Sequence, residues 1–431
     1  MIYIPNTDQD KKDMLDLIGI SSQELFADIP QRLQIDNINI PRSFSEIELK
    51  RHLKGLSKKA KKTSLFIGAG SYNHFIPSVV NHVISRSEFY TAYTPYQPEI
   101  SQGILQAMYE YQTMICDLTG MEVSNASMYD GASSLAESAL MACSITKKRK
   151  ILVSKAIHPN YREVLKTYCK FNQITYEELE LKDGVTETKQ PDRKTAAILV
   201  QNPNFFGCIE NIEELRPKAK DTLLIACIVE PTSLGILKPP KEADIVCGEA
   251  QSFGNPLNFG GPYLGILATK EKYMRKLPGR IAGKTVDAEN NPGFILTLQA
   301  REQHIRRDKA TSNICSNQAL NALAACVYLS TLGKSGVRKV GELCYHKAHY
   351  LQKKLAEIGK AEFTSPFYNE FVIRFDKDIT PILEENNILA YNLEKDYPEL
   401  KNCILFCATE MNTKEEIDLL IDIIKDGTDI R

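Results

Sequence analysis

The stretch LLIACIVEPTSLGILKPPKEADIVC (223–247) decides the fold, because a polar connection joins two short apolar runs, 223–229 and 244–247. Similar runs occur at SLFI (64–67), ILVS (151–154), AAILV (196–200) and YLGILA (263–268). Helical patterns over 102–118, 132–146 and 161–169 alternate with them. Short apolar strands that alternate with helices are typical of a mostly parallel sheet covered on both faces. We therefore predict a large α/β domain.

Two further segments flank this domain. Before it, apolar residues at helical spacing, interrupted by Pro30 and Pro41, predict a helical N-terminal segment. It ends in KGLSKKAKK (54–62), whose lysines we interpret as a solvated face or linker. After it, a long helical pattern leads to strand, helix, strand and helix signals, which predict a small C-terminal α/β domain. The predicted domains are 1–62, 63–315 and 316–431.

Composition limits the partners and the compartment. The 431 residues include 53 Lys plus Arg and 54 Asp plus Glu, so the net charge of −1 indicates neither nucleic acid nor an acidic membrane as a partner. The eleven cysteines form no CxxC pair and lie mostly in apolar stretches, as buried thiols do. The N-terminus has no signal-peptide pattern, and no apolar run is long enough to span a bilayer. We predict a cytoplasmic protein without a membrane segment.

A helix start at ASMYDGASSLAESALMA (126–142) is the first candidate site. Asp130, Ser133 and Ser134 precede or open the helix, where N–H groups and the helix dipole can bind a phosphate. The same residues serve equally as an ordinary N-cap. The glycines of IGAG (67–70) do not complete a dinucleotide or P-loop motif, so we interpret them as a turn. The histidines show no metal-ligand spacing, and we predict no metal site.

A stiff polar loop, AYTPYQPEISQG (92–103), is the second candidate. Its prolines favour an extended backbone before a helix that we predict to begin near Ser101. The loop carries two phenols, an amide and a carboxylate, which belong to Tyr93, Tyr96, Gln97 and Glu99. Such side chains can orient a substrate or anchor an interface, and a structural turn is the alternative.

Two more segments combine charge or glycine with turns. REQHIRRDKATSNIC (301–315) places His304, Arg306 and Arg307 before a predicted helix cap at residues 311–313. This cluster can bind a carboxylate or phosphate, or form a solvated face or intersubunit ion pairs. EADIVCGEAQSFGNPLNFGGPYLGI (242–266) reads as strand, glycine-rich turn and strand, and its glycines are explained equally by close packing or by a ligand.

Taken together, these segments resemble the P-protein family of the glycine cleavage system, the decarboxylating glycine dehydrogenases. The resemblance rests on the strings at 64–103, 126–142, 201–211, 248–266 and 296–315, in the family's order. P-proteins occur as one chain of about double this length or as two subunits, and this chain resembles the N-terminal half, subunit 1. The resemblance implies the fold-type I architecture of pyridoxal phosphate (PLP) enzymes, similar to aspartate aminotransferase. It has a large, mostly parallel sheet domain and a small C-terminal α/β domain.

One departure from a complete PLP enzyme concerns the turn at residues 249–254. Fold-type I enzymes hold PLP as a Schiff base on a lysine in the turn after a strand of the large domain. Here the turn reads EAQSFG, with Ser252 near the lysine position, and the nearest lysines are a strand or more away. A hydroxyl cannot replace an amine in that covalent role. The resemblance implies that PLP is bound covalently by the partner, glycine dehydrogenase subunit 2, and not by this chain.

The family's reaction then assigns this chain a completing role. The two subunits decarboxylate glycine through PLP, release CO2 and transfer the aminomethyl group to the lipoyl arm of H-protein. T-protein and L-protein are the other components of the system. In fold-type I dimers each site borrows residues from its neighbour, so Tyr93, Tyr96, Gln97 and Glu99 are the first candidates to reach the partner's site. His304, Arg306 and Arg307 are the second.

Two alternatives remain. The chain could be a self-sufficient PLP enzyme of the same fold that uses an unexpected lysine, or a scaffold without catalytic role. A PLP–lysine peptide would be found only for the first alternative, and failure to activate a subunit-2 protein would favour the second.

Overall fold

The computed structural model describes residues 5–35, 37–217, 221–310, 312, 314 and 317–428. The chain divides into two compact units, residues 1–61 and 62–431. Within the described residues, no helix is both long and apolar enough to cross a bilayer. The three predicted domains, 1–62, 63–315 and 316–431, stay predictions.

The first unit has two α-helices, α1 (Asp8–Ile18) and α2 (Glu46–Ser57). Each begins with a capping box, in which a Thr or Ser and an acidic residue three positions later exchange side-chain and backbone hydrogen bonds. This pairs N–H groups that the first helical turn leaves without a partner. None of the residues described in this unit is buried.

The second unit alternates strands and helices. Its described helices are α3 (Ser78–Ile84), α4 (Ser87–Tyr90), α5 (Gln102–Thr119), α6 (Gly131–Thr146), α7 (Pro159–Phe171), α8 (Ile212–Leu215), α9 (Gln303–Arg306), α10 (Ala319–Leu355), α11 (Thr380–Glu385) and α12 (Lys414–Thr428). Its strands up to the middle of the chain are β1 (Ser64–Leu65), β2 (Val123–Ser124), β3 (Lys150–Ser154), β4 (Thr175–Leu179), β5 (Leu181–Lys182), β6 (Val185–Thr186), β7 (Thr195–Gln201) and β8 (Leu223–Ile228). The later strands are β9 (Ile245–Glu249), β10 (Gly265–Thr269), β11 (Ile281–Val286), β12 (Pro292–Thr297), β13 (Lys360–Ala361), β14 (Glu370–Arg374), β15 (Ile388–Leu389), β16 (Tyr391–Asn392) and β17 (Cys403–Cys407).

The main sheet has seven strands in the order β2, β10, β9, β8, β7, β3 and β4. The five strands from β9 to β4 are parallel, and β10 is antiparallel to both of its neighbours. Successive side chains of a strand point to opposite faces. Ile151, Leu199 and Ile225 accordingly pack in one hydrophobic cluster with α6 and α7, while Leu152, Ile198 and Leu224 pack in another with α5 and α10. Helices therefore cover both faces, as predicted.

A smaller antiparallel sheet has the order β13, β14, β17 and β16. Its core joins the second half of α10 to α12, with buried residues such as Leu351, Phe406 and Ile421. Strand β1 pairs in parallel with β15 in this part of the chain, so SLFI lies outside the main sheet. The sequence pattern placed it among the strands of the large domain, and that placement is wrong. A strand of two residues is too short for its apolar pattern to indicate which strand it pairs with.

The predicted helix cap at residues 311–313 is also wrong where it can be judged. Thr311 and Asn313 lie outside the described residues, and α10 begins only at Ala319, after Gln318. Asn317 donates to the carbonyl of Ala126 (3.0 Å), and the N–H of Gln318 donates to the hydroxyl of Ser127 (3.1 Å). These tertiary hydrogen bonds replace the local cap that the sequence suggested.

Candidate active site

Two contacts fix the start of α5, and with it the loop of residues 92–101, to the hairpin of β11 and β12. Gln102 donates from Nε2 to the carbonyl of Phe294 (2.9 Å) and accepts at Oε1 from the N–H of the same residue (2.8 Å). Further along the helix, Gln112 exchanges the same two hydrogen bonds with Ala282 (3.0 and 2.9 Å). The backbone that precedes β11 is therefore held close to the loop.

Tyr96 lies at the centre of a cluster that joins three separate segments. Its hydroxyl accepts from Nη2 of Arg280 (3.2 Å), whose guanidinium carbon is 5.6 Å from the centre of the phenol ring. The ring of His304 meets it edge-on, with the centroids 5.4 Å apart. Glu302 lies between the two basic side chains: its Oε2 is 3.8 Å from Nε of Arg280 and 3.6 Å from Nδ1 of His304. We call Tyr96, Arg280, Glu302 and His304 the Tyr96 cluster.

The other predicted residues of the loop are exposed. Tyr93 is 80% exposed, and its ring centre is 6.5 Å from that of Tyr96. It also lines a cavity of about 160 Å³ together with residues of α5 and of the beginning of α10. Gln97 and Glu99 are exposed, and neither side chain makes a hydrogen bond within the described part of the chain.

The basic segment divides into two parts. His304 joins the loop at Tyr96, whereas Arg306 and Arg307 are exposed and do not belong to the Tyr96 cluster. Arg301 is buried and donates to the carbonyls of Leu277 and Gly279. It thereby holds the turn that ends at Arg280.

At the predicted anion site, helix α6 begins with an N-cap. Asp130 accepts from the N–H of Ser133 (2.7 Å), and the hydroxyl of Ser133 accepts from the N–H of Asp130 (3.2 Å). The hydroxyl of Ser134 donates to the carbonyl of Ile266 on β10. Both hydroxyls are therefore engaged within the chain, and their predicted contact with an anion stays a prediction.

A carboxylate from the chain itself reaches the same helix start. Glu249, the last residue of β9, accepts at Oε2 from the N–H of Gly131 (2.9 Å). Its Oε1 accepts from the N–H groups of Leu264 (2.7 Å), Ala250 and Gln251 (both 3.1 Å). Burial raises the pKa of Glu249 to about 7, although these N–H groups favour the charged form. An internal anion thus occupies the position where an exposed helix start would bind an external one.

Ser252, near the lysine position, is 2% exposed and donates to Oε2 of Glu230 (2.6 Å). Glu230 also accepts from the N–H of Thr232 (3.0 Å) and faces Nε2 of His74 at 3.4 Å. Burial disfavours the charged form of His74. The negative charge of Glu230 and the hydrogen bonds that His74 makes favour the charged form more strongly, so the pKa of His74 is raised well above its usual value. A buried charge network therefore surrounds the serine.

Beyond His74 the network continues to Glu410. Nδ1 of His74 lies 2.7 Å from Oε2 of Glu410, and the thiol of Cys344 donates to the same oxygen (3.3 Å). One atom from each of these three residues lies within 4.8 Å of the others, a set of ligand types that can hold a metal ion. The residues are far apart in sequence, so no ligand spacing could indicate the group. The absence of a metal site stays a prediction.

Sequence reasoning missed Arg280 and Glu302 of the Tyr96 cluster, and also Glu249 and Glu230. Arg280 follows the turn Pro278–Gly279 and precedes a strand, and a single arginine in that position carries no pattern. Glu249 ends β9 and Glu230 follows β8 by two residues, at the edge of the parallel strands where functional side chains gather. That position was the available signal for both.

The fold is shared with PLP-dependent proteins. A C-DES variant, solved with glycine covalently linked to its PLP cofactor, aligns with a TM-score of 0.59 at 16% identity, over 88% of this chain and 99% of that chain. At this identity the likeness establishes the fold alone. The chain therefore has the fold of the type I PLP-dependent enzymes, as the sequence predicted.

The family is shown by closer matches. The family model described as glycine cleavage system P-protein matches residues 1–424. The probable glycine dehydrogenase (decarboxylating) subunit 1 of Desulforamulus reducens is 51% identical over 439 aligned positions, covering 97% of this chain and 98% of that protein. An inhibitor-bound crystal structure of glycine decarboxylase (P-protein) aligns with a TM-score of 0.92 at 41% identity, over 99% and 100% of the two chains. The chain belongs to the glycine cleavage system P-protein family.

The residues of this chain do not fit the cofactor of its fold class. A cofactor aldehyde would meet the hydroxyl of Ser252, which is already bonded to Glu230 and cannot form a Schiff base. A cofactor phosphate would meet the carboxylate of Glu249 at the start of α6. Two anions cannot share one helix start without strong repulsion.

Proposed function

We propose that this chain is the subunit of a heteromeric glycine decarboxylase that completes the active site of glycine dehydrogenase subunit 2. One observation carries the proposal: a serine, not a lysine, stands in the turn after β9 of a chain that matches a subunit 1 over nearly its whole length. The internal anion Glu249 supports it independently, since it fills the phosphate position. On this proposal PLP is bound by the partner.

The proposed complex decarboxylates glycine, releases CO2 and transfers the aminomethyl group to the lipoyl arm of H-protein. The lipoyl disulfide is reduced as one sulfur takes the aminomethyl group, which makes the enzyme an oxidoreductase. PLP on the partner supplies the electron sink when it is bound. T-protein and L-protein are the further components with which the complex works.

The loop of residues 92–101 is the part of this chain that we assign to the partner's site. Tyr93, Tyr96, Gln97 and Glu99 are all exposed on a backbone fixed by Gln102, so they can meet another subunit without rearrangement. Their role is to orient the substrate and to keep out water, which would otherwise protonate the carbanion. His304 supports Tyr96, and Arg306 and Arg307 are assigned to interface or anion contacts.

Reconstitution with subunit 2 tests the division of labour. The visible absorbance of bound PLP and glycine–bicarbonate exchange are measured for this chain alone, for subunit 2 alone and for the mixture. We expect both signals to require subunit 2, with full exchange only in the mixture. Exchange or a stable PLP band with this chain alone would overturn the proposal.

The same experiment separates the two alternatives. Borohydride reduction followed by peptide mapping would find a pyridoxyl-lysine peptide of this chain if it were a self-sufficient PLP enzyme. If the mixture binds PLP but exchanges no faster than subunit 2 alone, the chain is a scaffold. We expect no pyridoxyl-lysine peptide, because Ser252 and Glu249 leave no room for a PLP–lysine bond in this chain. We expect faster exchange in the mixture, because the exposed loop can contact the active site of subunit 2.

Tyr96→Phe tests the loop itself. Loss of the hydroxyl removes the hydrogen bond from Arg280 and any contact with the partner's site, so we expect kcat of the mixture to fall about tenfold. Assembly should be unchanged, because the substitution keeps the aromatic ring and removes only its hydroxyl. Tyr90→Phe is the matched control, since Tyr90 is a nearby exposed tyrosine outside the Tyr96 cluster. Equal kinetics for Tyr96→Phe and wild type would remove Tyr96 from the site.

We also assign the protein to the cytoplasm. The ten described cysteines are free thiols, and eight of them are buried, among them Cys227 and Cys247. Thiols of this kind are typical of a reducing compartment. Fractionation of cells that express a tagged full-length chain checks the assignment, and recovery with the membranes would contradict it.

A further inference from the structure

Arg280 is a buried base with an incomplete set of partners. The residue is 3% exposed and precedes β11, and its Nη2 donates to the hydroxyl of Tyr96 (3.2 Å). Its Nε has no hydrogen-bond partner among the residues that the structure describes, since Oε2 of Glu302 lies at 3.8 Å. A buried guanidinium that leaves one donor unpaired is costly to retain for stability alone.

The other residues of the Tyr96 cluster surround the Arg280 guanidinium and the Tyr96 phenol. Glu302 is 8% exposed, has one oxygen without a hydrogen-bond partner in the described chain, and lies between Arg280 and His304. The guanidinium lies toward one side of the Tyr96 ring and the imidazole edge meets another. Arg301 fixes the backbone on which Arg280 stands by binding the carbonyls of Leu277 and Gly279. Two buried charged groups, those of Arg280 and Glu302, and the exposed His304 thus surround one partly exposed ring.

We propose that Arg280 is a positioning residue that fixes the phenol of Tyr96 for the reaction at the partner's cofactor, with Glu302 and His304 as its supports. The inference rests on the proposed function, because it takes Tyr96 as a group that reaches the partner's site. Arg280 itself touches no substrate in this account. It limits the rotation of the ring through the hydrogen bond at the hydroxyl and the cation–π contact at the face.

The chain contains a matched control for this arrangement. Arg162 is 8% exposed, donates from Nη2 to the hydroxyl of Tyr397 (3.1 Å) and lies 5.4 Å from the centre of that ring. Both arginines are therefore buried and make the same two contacts with a tyrosine, although Arg162 also donates to the carbonyl of Ile157 and to Glu178. Tyr397 packs in the hydrophobic cluster of Phe205 and Leu405, and neither residue of the pair belongs to the loop of residues 92–101. A general cost of removing a buried arginine should appear in both pairs.

The first test is a kinetic double-mutant cycle in the complex with subunit 2. We expect Arg280→Met to lower kcat for glycine–bicarbonate exchange about tenfold, with KM for glycine changed less than about twofold, because ground-state binding is not affected. Arg280→Lys should recover part of kcat, since an ammonium can donate to the phenol but cannot stack as a guanidinium does. The double variant Tyr96→Phe with Arg280→Met should match Tyr96→Phe alone, because a residue that acts through Tyr96 has nothing left to position.

The second test observes the ring directly and does not need activity. The full chain is labelled with 3-fluorotyrosine, and the Tyr96 resonance is the ¹⁹F signal that Tyr96→Phe removes. Arg280→Lys should shift and broaden that signal, whereas Arg162→Lys should leave it unchanged. If Arg280→Met fails to assemble, the lysine variants carry both tests.

The outcomes separate this inference from the proposed function. If Tyr96→Phe lowers kcat but the Arg280 variants do not, the positioning role is refuted and the function of the loop stands. If the Arg280 and Arg162 variants lower kcat equally, or if the effects of Tyr96 and Arg280 are additive, Arg280 acts through stability and the inference fails. If Tyr96→Phe has no effect on kcat, the assignment of the loop fails, and the inference falls with it whatever the ¹⁹F shift.

Discussion

Replacing Glu249 by alanine tests whether its carboxylate has taken the place of a phosphate at the start of α6. The side chain is 1% exposed and stands at the end of β9, where the main sheet meets the N-terminus of the helix. Four backbone N–H groups, those of Gly131, Ala250, Gln251 and Leu264, donate to its two oxygens. The N–H of Ala250 also donates to the carbonyl of Leu264 (2.7 Å), so alanine leaves the other three without this acceptor.

The magnitude follows from the three donors that lose their acceptor. A buried N–H group without a partner costs about 1–3 kcal/mol, so Glu249→Ala should lower the free energy of unfolding by at least about 3 kcal/mol. Glu249→Gln keeps an acceptor near three donors but turns an amide N–H toward Gly131, and should cost about 1–3 kcal/mol. Because burial raises the pKa of Glu249 to about 7, the comparison belongs at about pH 8.5, where the wild-type side chain is ionised.

The assay is urea unfolding of the isolated full-length chain, followed by circular dichroism and tyrosine fluorescence, since the chain has no tryptophan. Inorganic phosphate is then added to each variant. A ligand present at about 100 times its dissociation constant stabilises the native state by about 2.7 kcal/mol, so phosphate should recover part of the loss in Glu249→Ala. It should not affect the wild-type chain, whose helix start is already occupied.

Glu210→Ala is the matched control. Glu210 is 4% exposed and also accepts a backbone N–H, that of Thr186 (3.0 Å), together with the amide of Asn204 (2.9 Å). It precedes the short helix α8, but its carboxylate bonds to these two residues, and the cap of α8 is made by Asn211. Its loss should be comparable and should not respond to phosphate. A Glu249→Ala chain within about 1 kcal/mol of wild type would refute the energetic reasoning. Equal recovery of both alanine variants by phosphate would show a general salt effect and refute the assignment of the phosphate position.

Three further predictions follow from the described contacts. Burial raises the pKa of Glu370 from its usual 4.5 to about 8, so the folded state holds this proton more tightly than the unfolded state does. The free energy of unfolding should therefore fall as pH rises from about 4.5 to 8, by up to about 1.4 kcal/mol per pH unit. Glu370→Gln should make the urea midpoint depend less on pH. Gly207→Ala should lower the free energy of unfolding by about 2–4 kcal/mol, because φ is 82° and a Cβ would lie 1.9 Å from the carbonyl oxygen of Glu370. The control Gly103→Ala, where a Cβ would meet nothing within 4 Å, should be neutral or stabilising. A small effect at Gly207 would contradict the close approach of the two segments. After borohydride reduction, mass spectrometry should find no PLP adduct on the lysine of Ser252→Lys, but should find one when Ser252→Lys is combined with Glu249→Gly. An adduct at this position in the single variant would show that Glu249 does not obstruct the cofactor.

The main sheet could be predicted because its strands are buried on both faces. ILVS and AAILV lie within β3 and β7, and the predicted helix over 132–146 differs from α6 by one residue. Continuous apolar runs of this kind identify a buried parallel strand without knowledge of its neighbours. The pairing of β1 with β15 and the late start of α10 could not be predicted, since both depend on hydrogen bonds to residues distant in sequence.

The site could be predicted only in parts. The loop with Tyr96 and the segment with His304 each stood out by composition, but nothing in either indicated that the two rings meet. Arg280 joins them only because two glutamines of α5 hold the backbone beside it. The roles of Tyr93, Gln97, Glu99, Arg306 and Arg307 depend on a partner chain and stay predictions. Convergence of segments in space is a property of the tertiary fold, and no single segment encodes it.

The proposal that the partner binds PLP bears on the stability of this chain. An enzyme that binds PLP gains stability from its ligand, since anything that binds only the native state favours it. Within this chain Glu249 accepts from the helix start and Ser252 pairs with Glu230. On the proposed function these internal hydrogen bonds take the place of the contacts that a ligand would make. Tyr96, which is partly exposed and bonded to Arg280, is then free to contact a neighbouring subunit, so the proposal places the function of this chain at its surface.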